Sequence, residues 1–123
     1  MNSTSAFRIS AVFGFLGVTL GALGAHGAVA TIIQKNHTVD DWKTATLYHL
    51  VHAVVMLFLA TRRPFPVLSW SLFAAGVTLF SGSLYLFAVS GPRWLVFITP
   101  VGGLCFLAGW LVLAVRPCVS APS

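Results

Sequence analysis

The 123-residue chain has very little charge: seven Lys and Arg and two Asp and Glu, together 7% of its residues. A soluble domain carries roughly a quarter of its residues as Asp, Glu, Lys and Arg, so this chain cannot cover a soluble surface. The two acids, Asp40 and Asp41, are sequence neighbours. That leaves no intramembrane carboxylate pair, and any acid–base work would fall to histidine and tyrosine. Cysteine is equally scarce. Cys105 lies in an apolar run and Cys118 near the end, so no disulfide is expected. There is no G-x-S-x-G, no H-E-x-x-H and no phosphate-binding loop. The net charge is +5, but the basic residues occur singly or in pairs, without the cluster that tracks a nucleic-acid backbone.

What the chain has is apolar sequence in long blocks, 58% hydrophobic overall. Four blocks approach the ~20 residues that cross a bilayer: about 7–33, 42–61, 66–89 and 94–115. They predict an all-α fold, an integral membrane four-helix bundle in one domain over residues 1–116, with a disordered tail over 117–123. The Arg62-Arg63-Pro64 break and the Ser90-Gly91-Pro92-Arg93 turn are short, so neighbouring helices are antiparallel. The first block could be a cleaved leader ending at Ala28-Val29-Ala30. It is longer than a leader's apolar region, however, and carries a glycine face that a leader does not need.

Arg8, Arg62, Arg63 and Arg116 fall on one side of the membrane; Lys35, Lys43 and Arg93 fall on the other with both acids. The Arg62-Arg63 pair favours cytoplasmic termini. By the same topology Trp42 and Trp94 mark one interface, and Trp70 and Trp110 lie near the other. Asp40 and Asp41 precede Trp42, where they would cap the second helix and suit its dipole. His37, beside Asn36, reads as solvated.

Gly14, Gly17, Gly21 and Gly24 form a stripe on the first helix, and Gly102 and Gly109 repeat it on the fourth beside Gly103. Small residues of this kind let helix backbones approach where lipid supplies no hydrophobic drive. A second pattern is polar. His26, then Tyr48, His49 and His52, then Ser81, Ser83 and Tyr85, and finally Thr99 all fall in the half of the bilayer away from the termini. The other half is nearly all apolar, with Ser69, Ser71 and Thr78 as the main exceptions. Polar groups inside a membrane usually face the bundle and have partners. This set is either a hydrogen-bond network fixing helix register or a functional site: metal or haem, proton or quinol, or a small polar ligand. His26, His49 and His52 are the metal candidates, since histidine is the commonest metal ligand. On an ideal helix His26 points roughly 150° from the glycine stripe, so the first helix is either contacted on two faces or bent near Gly24 and Gly27.

Four ordered segments resemble a known family: Gly21-Ala22-Leu23-Gly24-Ala25-His26-Gly27; Trp42-Lys43-Thr44-Ala45 with Tyr48, His49 and His52; Phe80-Ser81-Gly82-Ser83-Leu84-Tyr85; and Ile98-Thr99-Pro100-Val101-Gly102-Gly103 with Gly109-Trp110. The chain is similar over nearly its whole length to domain-of-unknown-function family 423, which groups small bacterial YgdD-like and eukaryotic transmembrane protein 256-like proteins. The resemblance implies four membrane helices in a bacterial inner membrane or its organelle equivalent, and no assigned activity. The small size, the absent catalytic motifs and the minimal loops point instead to a non-enzymatic function, an accessory subunit of a larger membrane complex whose partners are lipid and other membrane subunits. No cofactor is expected. The alternative is a haem- or metal-binding redox protein using the three histidines.

Overall fold

The computed structural model describes residues 1–119, and every regular element among them is helical. Helix α1 spans Ser3–Ala25, α2 Gly27–Lys35 and α3 Val39–Ala60. Helices α4 (Val67–Gly76) and α5 (Gly82–Ser90) are joined without a break by a π turn over Val77–Ser81. A 3-10 turn, Arg93–Phe97, leads into α6, Thr99–Val115. Four stretches are long and apolar enough to cross a membrane: Ser3–Ala25, Val39–Ala60, Val67–Ser90 and Arg93–Val115.

The single first helix expected over 7–33 is two helices. His26 is extended (φ −142°, ψ 144°), and Gly27 follows in the left-handed region (φ 77°), where a side chain would be strained. Beyond the break, α2 turns its Ile33 into the bundle, where it is 1% exposed. The acids are not caps either. Helix α3 starts at Val39 behind Thr38, which makes no side-chain cap bond, so Asp40 and Asp41 lie inside the first turn. There their charge still suits the helix dipole.

The loop before α3 does structural work. Ala88 in α5 would bond the amide of residue 92, but that residue is proline and has no N–H. Thr38 Oγ1 and Asn36 Nδ2 donate to the Ala88 carbonyl instead, at 2.7 and 3.0 Å. Gly91 ends α5 with φ 82°, the usual left-handed helix stop. At the opposite end of the bundle, Arg63 donates to Ser3 Oγ at 2.8 Å and Arg62 Nε to the Cys118 carbonyl at 3.0 Å. Both ends of the described chain therefore meet the α3–α4 connection. Of the tail expected to be disordered, Cys118 packs against the core, and residues 120–123 lie outside the described residues.

Helix α1 packs chiefly on α3, and α6 on α4 and the π turn. The buried apolar side chains form two clusters. One, near the termini, holds Ala6, Met56, Leu59, Trp70, Phe73, Val77 and Phe106. The other holds Ile33, Trp42, Ala45, Leu84, Tyr85 and Ala88. Between them in sequence, on both α3 and the α4–α5 span, come His49, His52 and Ser81, all buried.

Candidate functional site

The glycines set how closely the helices meet. Gly17, Gly21 and Gly24 face α3: a Cβ at Gly17 would lie 2.6 Å from Leu50 Cδ2, and one at Gly21 3.1 Å from Thr46 Cγ2. At Gly24 it would overlap the Trp42 indole. Gly14 does not belong to this contact, because a Cβ there meets nothing within 4 Å. At 100° per residue it sits about 60° around the helix from Gly17. On α6, Gly109 faces the Phe73 ring and Gly102 the Phe80 backbone, while Gly103 has ordinary clearance. Gly76, which the two-stripe reading omits, accommodates Phe106 in the same antiparallel register.

Close approach of α1 and α3 places His49 against Gly17, with its Cδ2 3.3 Å from the position of a Cβ there. The imidazole reaches across to α1, Nε2 lying 2.8 Å from the Phe13 carbonyl. A carbonyl only accepts, so Nε2 carries the proton. Nδ1 is then the acceptor, and the Tyr85 hydroxyl donates to it at 3.0 Å. Tyr85 also lies 3.5 Å from Thr46 Oγ1, the longer and weaker of its two contacts. His49 thus ties α1, α3 and α5 together.

His52, one turn on, meets a different helix, α6. Its Nδ1 lies 2.7 Å from the Tyr48 carbonyl and must be the protonated nitrogen. Nε2 accepts from the Trp110 indole N–H at 3.1 Å. Its ring stacks on Phe106, centroids 3.8 Å apart and planes 14° from parallel. The two histidines therefore adopt opposite neutral tautomers in separate networks. Depth follows from the helix rise: Tyr48, His49 and His52 sit ~14–20 Å from the start of α3, near mid-span.

The remaining expected residues form further separate pairs. Ser81 Oγ donates to the Ala45 carbonyl at 2.7 Å, and Ser83 and Thr99 share a 2.5 Å hydrogen bond between α5 and the start of α6. Tyr48 packs at a tilt against Phe80 and stacks with Phe106. His26 joins none of these pairs and is exposed at the α1–α2 break. The expected single polar cluster is thus divided among several helix–helix contacts, because each short polar group bonds to the backbone or side chain nearest it.

The metal candidates do not make a donor set. Among the described residues no group of three His, Cys, Asp or Glu side chains is arranged to hold a metal. Both ring nitrogens of His49 and of His52 are met by protein groups. A metal at His52 Nε2 would have to displace Trp110.

Tryptophan carries bonds that an interfacial assignment misses. Trp70 is 4% exposed and donates to Ser10 Oγ at 2.9 Å, while Ser10 donates to the Ala6 carbonyl. Trp42 is likewise buried and donates to the Leu20 carbonyl at 2.8 Å. The half of the bundle near the termini is therefore not purely apolar. No local signal marks the Ser10–Trp70 pair, whose members are 60 residues apart.

Comparison with known proteins gives consistent matches. Residues 20–103 match the family model described as protein of unknown function, DUF423. The Bacillus subtilis UPF0382 membrane protein YwdK is 39% identical, covering 87% of this chain and 90% of its own length. The Escherichia coli UPF0382 inner membrane protein YgdD is 40% identical, covering 91% and 89%. A Staphylococcus epidermidis UPF0382 membrane protein is 36% identical, covering 87% and 89%. No solved structure matches the chain.

Proposed function

The chain belongs to the DUF423 family, an integral membrane protein of the bacterial inner-membrane type, and from that premise we propose that it is a non-catalytic accessory subunit of a larger membrane assembly. One observation carries this reading: among the described residues no buried side-chain nitrogen or oxygen lacks a hydrogen-bond partner. The buried groups capable of chemistry, His49, His52 and Tyr85, are engaged in holding the spans together. A closed network of this kind fixes a unique packing and leaves no catalytic constellation in the interior. The outer helices present the opposite picture. Phe15 and Val18 on α1, and Leu104 and Leu111 on α6, are each at least 64% exposed. With such short connections, these faces are the surface on which a partner subunit would pack. We also assign both termini to the cytoplasm, on the Arg62-Arg63 pair at that end.

The test is extraction from native membranes in mild detergent, followed by native electrophoresis and mass spectrometry of the band. The proposal expects this chain in a band with at least one different polypeptide. A free monomer or a pure homo-oligomer under every mild condition would overturn it.

A further inference from the structure

A groove of about 630 Å³ opens sideways beside α3 and α6. Its lining includes Tyr48, His52, Phe80, Gly103, Phe106 and Trp110. We propose that this groove binds a planar, membrane-soluble ring bearing an acceptor oxygen, of the isoprenoid-quinone class. The proposal is independent of the accessory-subunit reading.

Depth removes most alternatives. Tyr48 and His52 lie ~14–20 Å along α3, within the ~30 Å hydrocarbon layer. A water-soluble molecule does not reach that level from the side, and a phospholipid headgroup does not sink to it. What diffuses there is hydrocarbon or a lipid-soluble ring.

The walls favour the ring. Tyr48, Phe80, Phe106 and Trp110 present aromatic surface, and such faces gain most from offset stacking on another π system. Three of them are already held by one another. Tyr48 lies 4.8 Å from Phe80 and 6.0 Å from Phe106 between ring centroids, the latter pair 23° from parallel. The Trp110 N–H is pinned on His52, which itself stacks on Phe106. A wall fixed in this way needs little ordering on binding. The π turn contributes as well. It carries Phe80, whose backbone is in close contact with Gly102, and turns of this type often occur at functional sites.

Tyr48 supplies the polar contact. Its carbonyl serves His52, but its hydroxyl makes no hydrogen bond among the described residues, and the side chain, 41% exposed, is open to the groove's surroundings. A phenol O–H facing hydrocarbon without an acceptor is costly. A quinone carbonyl provides the acceptor, whereas an acyl chain provides none.

Two variants separate binding from folding. Tyr48→Phe removes only the hydroxyl. Gly103→Leu fills the groove from a position where a Cβ has ordinary clearance, 3.8 Å from Phe80 Cδ2. Wild type and both variants are purified in mild detergent and checked for unchanged helical circular dichroism. A short-chain 1,4-benzoquinone is then titrated against tryptophan fluorescence. The expected wild-type result is saturable quenching, weakened about tenfold in Tyr48→Phe by loss of one hydrogen bond and lost in Gly103→Leu. Solvent extraction of the wild-type protein should also yield an isoprenoid quinone in near-stoichiometric amount. Quenching that is linear and equal in all three proteins, or extracts containing only phospholipid, would overturn the proposal. Because Tyr48→Phe touches no packing contact of its ring, an unfolded Gly103→Leu protein would still leave the comparison decisive.

Discussion

Replacing Gly102 with alanine adds one carbon atom at a close helix crossing where the obstacle is backbone. That Cβ would lie 2.7 Å from both Cα and Cβ of Phe80 and in direct overlap with its amide nitrogen. Carbon atoms rest at about 3.5–4.0 Å, so α6 must move away from the π turn by roughly 1 Å. A side chain could rotate aside, but a backbone cannot. Moving α6 also loosens Gly109 against Phe73 and Phe106 against Gly76, the other contacts in the same register. Overpacking of this kind costs about 1–3 kcal/mol, and a backbone obstacle places it at the upper end. Gly103→Ala is the matched control: it is one residue away, has ordinary clearance, and should gain ~0.5–1 kcal/mol from reduced chain entropy. The two variants should therefore differ by at least ~2 kcal/mol. Unfolding in mixed micelles with added SDS, read by tryptophan fluorescence, measures the difference. Equal stability within ~0.5 kcal/mol, the scatter of neutral substitutions, would refute the packing argument.

Ser10→Ala strands the buried Trp70 N–H and should cost ~1–3 kcal/mol. Thr19→Val, whose hydroxyl bonds only its own helix at the Phe15 carbonyl, should cost little in the same assay. A double-mutant cycle of His49→Phe with Tyr85→Phe should show a coupling of about 0.6 kcal/mol, the usual value for intramembrane bonds. The cycle pairing His52→Phe with Tyr85→Phe should show none, since the two histidines serve separate networks. A C-terminal green fluorescent protein fusion should fluoresce and a C-terminal alkaline phosphatase fusion should be inactive; the reverse pattern would put the termini on the other side.

The spans were legible because bilayer crossing depends on local composition. A run of about 20 apolar residues needs no knowledge of the rest of the chain, and the Arg62-Arg63-Pro64 and Gly91-Pro92 breaks mark their own positions. What depends on distant partners was not legible. Trp42 and Trp70 have the composition of interfacial residues, and only the positions of Leu20 and Ser10 reveal them as internal donors. Spacing alone admits Gly14 to the stripe, although α3 does not touch that sector of α1. Gly76 shares its span only with Gly82, six residues on and without the stripe spacing, and became visible only opposite Phe106. For the polar residues, sequence put the set in the half of the bilayer away from the termini, whereas His49 and His52 fall near the middle of α3, and it did not show their pairing. His49 and His52, one turn apart, bond to different neighbours, α1 and α5 for the first and α6 for the second, and His26 is removed by a helix break at Gly27.

His49 and His52 are occupied structural links, and nitrogen-15 solid-state NMR of histidine-labelled protein in lipid bilayers tests this most directly. Those links predict two neutral buried rings of opposite tautomer at neutral pH: His49 protonated at Nε2 and His52 at Nδ1, assigned by loss of each signal in His49→Phe and His52→Phe. An imidazolium at either position, a nitrogen shift characteristic of metal ligation, or the same tautomer in both rings would contradict them.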